Sequence, residues 1–134
     1  MILSILDIND LKKQVIKYFG YSLFFFLFGL IYEYFSHGVY SNYMMYAFLI
    51  PAILGCLVYG ILYFLNLKTV PNYYASKIYN SAILTFTLGS IMKGVLEIFG
   101  TTNNLIDVYF NLGIILILLS MIINVIYTIN KYNK

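Results

Sequence analysis

Four long apolar runs govern what this chain can fold into. They cover about residues 18–35, 46–67, 78–99 and 108–129 and take up most of the 134-residue sequence. Each approaches the ~20 residues that an α-helix needs to cross a hydrocarbon layer ~30 Å thick. Water is the wrong solvent for such a chain. It is 62% hydrophobic and 10% charged, where soluble domains hold about 45–50% apolar and about 25% charged residues, and its mean hydropathy is +0.86. In lipid the backbone finds no water to bond, so a spanning run must be helical. The sequence therefore predicts an all-α membrane protein with four transmembrane helices and the lipid bilayer as its first partner.

The segments between the runs, "SHGVYSNYM", "KTVPNYYASK" and "GTTNNLID", are short and rich in Gly, Pro, Ser and Asn, the residues that end helices and make turns. Short connections make neighbouring helices antiparallel, which predicts an up-down bundle. Residues 1–17 read as a cytoplasmic interfacial segment and 18–134 as the four-helix transmembrane domain. Within the first segment Asn9 or Asp10 is placed to cap a short helix from Leu11, with Lys12 and Lys13 at the headgroups. The segment lacks a small-residue cleavage site, so it reads as an uncleaved start to the first helix.

The lysines set the orientation. Lys12, Lys13 and Lys17 precede the first span, Lys68 and Lys77 bracket the middle connection, and Lys131 and Lys134 follow the last span. Every lysine except Lys93 thus falls on one side, and cytoplasmic loops are the ones that carry excess Lys and Arg. Both termini are expected in the cytoplasm. All basic residues are lysine, tryptophan is absent, and Ile, Asn, Tyr and Lys abound. That usage points to an AT-rich bacterial genome, and so to a bacterial plasma membrane. Tyrosines gather toward span ends, Tyr32, Tyr34, Tyr40, Tyr43 and Tyr46 outside and Tyr63, Tyr73, Tyr74, Tyr79 and Tyr127 inside, as an aromatic belt requires.

The two halves of the chain resemble each other. At an offset of 60, Lys17 meets Lys77, Phe26 meets Phe86, Gly29 meets Gly89 and Ile31 meets Ile91; after a two-residue slip, Asn42 meets Asn104 and Phe48 meets Phe110. Two tandem helical hairpins, related as parallel repeats, would produce this pattern. In the same frame polar residues line one face of each first helix. Ser22, Phe26, Gly29, Glu33 and His37 form one stripe, and Ala82, Phe86, Gly89, Ser90, Lys93 and Glu97 the other.

These stripes are expected to face inward and each other. Lys93 then needs an acidic partner, with Glu97 at i+4 and Glu33 or Asp107 on another helix as candidates. Glu33, His37, Lys93, Glu97, Asp107 and Asn111 are the candidate ligand-binding or ion-pair residues, converging on an outward-facing polar site between the first and third helices. The competing reading is structural: Glu33 and His37 stop a helix among the headgroups and Lys93 snorkels outward. Pro51 and the ridge Ala52, Cys56 and Gly60 read as packing features of the second helix.

Other classes find no support. A single cysteine, Cys56, and a single histidine exclude an intramolecular disulfide, a thiolate zinc cluster and a bis-histidine haem within one chain. No metal site or catalytic motif is visible, no cofactor is implied, and nothing suggests nucleic-acid binding. Two functions fit. One is a small transporter, channel or membrane subunit of a transport complex, working as a homodimer or within a larger assembly. The other is a non-catalytic accessory or immunity-type protein that binds another membrane protein.

Overall fold

The computed structural model describes residues 8–65 and 71–132, and all regular elements among them are helical. α1 spans Ile8–Phe35, α2 Asn42–Met45, α3 Val58–Phe64, α4 Tyr73–Ile98 and α5 Asp107–Tyr132, with a π-helical segment at Pro51–Leu57 and a 3₁₀ turn at Asn104–Ile106. Among the described residues three helices are long and apolar enough to cross a membrane: α1, α4 and α5.

The expected second span does not form one regular helix. It is divided into α2, a turn at residues 46–48, the π segment and α3, and its apolar helical part is the shorter Pro51–Phe64. Pro51 is the local cause. It has no N–H, and its ring excludes the carbonyl four residues earlier, so the Ala47 carbonyl takes a 3₁₀-type bond from the Ile50 N–H at 3.3 Å. The chain then continues with the wider π geometry.

Residues 8–35 run as one 28-residue helix, so the stretch from Leu11 expected as a short helix is continuous with the first span. The sequence offers no proline between Lys12 and the first apolar run, and Leu11, only 2% exposed, ties the N-terminal end into a core cluster with Tyr18, Tyr59 and Ile83. Residues 1–7, part of the expected interfacial segment, lie outside the described residues, as do Lys68 and Lys134. At the other connections α4 begins five residues before the expected position 78, with the Asn72 side chain accepting from the Tyr74 N–H.

The bundle is open. α4 is its centre, with 33% of its spanning window buried against 11% for α1 and for α5. No Cα of α1 comes within 8 Å of α4, because α2 and the π segment lie between them, and α5 packs along α4. The second element runs antiparallel down this gap. Met44 sits between Gly29 of α1 and Gly94 of α4, where added Cβ atoms would come within 3.2 Å of the Met44 carbonyl oxygen and 2.7 Å of its nitrogen. Lower down, Gly55 lies against the Tyr18 ring, and Tyr59 stacks on Tyr18 at 5.8 Å.

Irregular backbone at membrane depth needs internal partners, and here hydroxyls from the flanking helices supply them. Ser90 donates to the Tyr43 carbonyl at 2.7 Å, Ser22 to the Phe48 carbonyl at 3.1 Å, and Tyr79 to the Leu54 carbonyl at 2.8 Å. Ser22 and Gly29 of the first stripe and Ser90 of the other thus serve the broken element between them, while Phe86 and Gly89 pack on α5.

The two halves share local details. Gly38 and Gly100 both have positive φ, Ser41 and Asn103 are both extended N-caps, and short helical pieces start at Asn42 and Asn104. Phe26 contacts Phe48 at 5.1 Å between centroids, and the equivalent Phe86 contacts Phe110 at 6.3 Å. The halves diverge after this point, where the first carries Pro51 and the second a regular helix with Gly113 pressed against Phe86.

Candidate functional site

The last turns of α4, the connection after it and the start of α5 enclose a cavity of about 210 Å³. α4 contributes Lys93 and Glu97 one turn apart, as the i, i+4 spacing dictates. The connection contributes Thr101, Thr102, Asn103 and Asn104, and α5 contributes Asp107. The Asn103 side chain accepts from the Leu105 N–H at 2.9 Å, which turns the chain into α5. Asp107 opens that helix, where the positive end of the helix dipole favours a carboxylate.

The charged groups are held differently from one another. Glu97 Oε2 accepts from the Oγ of buried Ser41 at 2.6 Å, so the cap residue of α2 anchors it. Lys93 Nζ lies 4.3 Å from the Tyr43 ring centroid and 5.8 Å from that of Phe110. Its ammonium thus rests on the negative faces of two aromatic rings. Among the described residues the one ion pair within 4.0 Å is Lys13 with Asp10, at the opposite end of the molecule. The expected Lys93–Glu33 pair is therefore absent. α2 fills the space between the two helices, and Tyr43 takes the ammonium instead.

Of the residues read from the sequence, Lys93, Glu97 and Asp107 come together in this cavity. Glu33 does not line it; it is buried at 7% exposure, and its Oε1 has no hydrogen-bond partner. His37 is exposed in the turn after α1 with φ 56°. Asn111 is exposed on α5. The six candidates thus separate into one cluster of three, one buried acid and two surface residues. A larger groove of about 470 Å³ between the C-terminal ends of α1 and α4 is lined by Phe28, Ile31, Tyr32, Phe35, Ser36, Ile98 and Phe99. Its apolar walls suit lipid chains more than a polar solute.

A second polar cluster, not foreseen from the sequence, joins the N-terminal halves of α1 and α4 to α3. The Tyr18 and Tyr59 hydroxyls donate to Asn80 Oδ1 at 2.7 and 2.8 Å, Tyr59 also lies 2.8 Å from Ser76 Oγ, and Asn80 Nδ2 approaches Gln14 Oε1 at 3.4 Å. Ser76, Asn80 and Tyr18 are each polar-tipped residues on inward helix positions, which is the signal that would have found them. The hydroxyls of this cluster bond within it, and Tyr59 and Ser76 also line a cavity of about 150 Å³ shared with Ser120 and Asn124. Comparison with known proteins adds no constraint: no family model, curated protein or solved structure matches the chain.

Proposed function

We propose that the chain is a four-pass protein of a bacterial plasma membrane, built as two tandem helical hairpins with both termini in the cytoplasm, and that it handles a small polar solute at an outward-facing site. In this reading the broken second element makes a full pass, because its contacts descend from Gly29 and Gly94 beside Met44 to Asn80 beside Tyr59. The cluster of Lys93, Glu97 and Asp107 around one cavity carries the functional part. Intramembrane ionisable residues are costly, and in membrane proteins they mark solute and ion pathways. One ammonium and two carboxylates, set among amide and hydroxyl groups, suit a small amine or zwitterion. Such a solute would place its ammonium by Glu97 and Asp107 and any carboxylate by Lys93. Four helices enclose little volume, so passage through the membrane would use a dimer or a larger complex.

Uptake by proteoliposomes of a panel of labelled amino acids and small amines tests this. Accumulation that Lys93→Met and Glu97→Gln abolish supports the reading. If no member of the panel is taken up or shifts the melting temperature, the solute reading fails. The accessory role then gains, and it has its own observation: α1 and α5 each leave most of their spanning window outside the molecule, a surface on which another membrane protein could dock.

A further inference from the structure

Glu33 presents a separate problem. It is 93% buried, on the side of α1 that faces α2, and Oε1 is enclosed without a hydrogen-bond partner. An ionised carboxylate in such surroundings is strongly disfavoured unless something neutralises it. No lysine of the described chain does so. Lys93 lies over Tyr43 and Phe110, Lys17 over Tyr18 and Lys77 over Tyr73, and Lys13 pairs with Asp10.

Nearby hydroxyls are engaged as well. Ser36 Oγ lies 2.7 Å from the Glu33 carbonyl oxygen and 2.6 Å from that of Val39, Ser41 binds Glu97, and Ser90 binds the Tyr43 carbonyl.

The element opposite Glu33 is the interrupted one. One turn below it, Gly29 packs on the Met44 carbonyl oxygen, which accepts a long 3.4 Å bond from the Ala47 N–H. Unwound backbone carbonyls are groups by which discontinuous transmembrane helices coordinate Na⁺. A single carboxylate matches a single positive charge. Among the described residues no group of three or more His, Cys, Asp or Glu could hold a multivalent metal.

We infer that Glu33 is a binding site for a small hard monovalent metal cation, Na⁺, which neutralises the carboxylate and stabilises the packing of α1 on α2. The titratable and charged groups on this side of the molecule are Tyr32 and His37 of the α1 end, Tyr40, Tyr43 and Tyr46 around α2, and Lys93 and Glu97 on α4 behind it. The site stands on the burial of Glu33 alone, so it survives if the outer cavity binds no solute.

The test is the melting temperature of the full chain in detergent. Sodium chloride is exchanged for choline chloride at fixed neutral pH. The wild type is expected to melt higher with sodium than with choline. The shift should reach roughly 5 °C at saturation. Glu33→Gln should melt like the sodium-saturated wild type and lose the response. A wild type indifferent to the exchange, or a Glu33→Gln variant that keeps the response, overturns the inference. Should that variant fail to fold, labelling of the wild type with a hydrophobic carbodiimide decides. An adduct at Glu33 that sodium suppresses supports the site, and absence of the adduct, or its indifference to sodium, rejects it.

Discussion

At the scale of single residues, two kinds of position hold the helices together: glycines that admit a neighbour and hydroxyls that meet a carbonyl or amide. A Cβ on Gly55 would fall 2.3 Å from Tyr18 Cγ, and Tyr18 is 1% exposed and stacked on Tyr59, so it has nowhere to move. Gly55→Ala should therefore destabilise the fold by about 1–3 kcal/mol, the usual cost of overpacking. Gly60, with nothing within 4 Å of an added Cβ, provides the contrast. Gly60→Ala should be neutral or stabilise by about 0.5–1 kcal/mol through helix propensity. Unfolding of both variants in mixed detergent checks this, and equal effects would mean that the Tyr18–Gly55 contact is not made. Asn80 supports a second prediction at the same scale. Its Oδ1 accepts from two tyrosines, so Asn80→Ala should cost about 1–3 kcal/mol for each hydroxyl left unpaired. Tyr18→Phe on the Asn80→Ala background should then cost less than it does in the wild type, a coupling that a double-mutant cycle measures.

At the scale of elements, sequence legibility follows regularity. α4 and α5 lie close to their expected bounds because an uninterrupted apolar run leaves the backbone one solution in lipid. The second run looked alike in composition yet broke, since Pro51 is a single residue whose effect depends on which carbonyls neighbours can satisfy. Ser22, Tyr79 and Ser90 make the break tolerable, and nothing in a hydropathy pattern assigns them to Phe48, Leu54 and Tyr43. The same displacement explains the site. Lys93, Glu97 and Asp107 were readable because they sit beside one connection, whereas the Lys93–Glu33 pair required the C-terminal parts of α1 and α4 to close on each other, where α2 lies between them. Ser90→Ala should accordingly cost about 0.5–2 kcal/mol, the range for hydrogen bonds between membrane helices. Ser81→Ala removes only a bond to its own helix at the Lys77 carbonyl, on an exposed face, and should change stability by less than about 0.5 kcal/mol. Matched losses in thermal unfolding would argue that Ser90 does not support α2.

At the scale of the whole molecule, the number of passes decides where the termini lie. Three helices of spanning length would place the two ends on opposite sides, whereas a fourth pass by the interrupted element returns them to the same side. The proposed fourth pass rests on the course of that element. From Met44 beside Gly29 to Tyr59 beside Asn80 it descends antiparallel to α1, which itself runs 28 residues, roughly 42 Å at 1.5 Å per residue. The exposed lysines agree, since Lys12 and Lys13 begin α1 and Lys131 ends α5, and positive charge accumulates on the cytoplasmic side. Single cysteines introduced on a Cys56→Ser background, which removes the native thiol, separate the two topologies. Tyr40→Cys and Asn103→Cys should react with a membrane-impermeant maleimide on intact cells, while Lys13→Cys and Lys131→Cys should react only after permeabilisation. A Lys13→Cys and Lys131→Cys pair labelled from opposite sides would reduce the protein to three passes and leave Pro51–Phe64 as a segment that enters the membrane without crossing it. Labelling of Asn103→Cys and Lys131→Cys from one side would instead mean that α5 does not span.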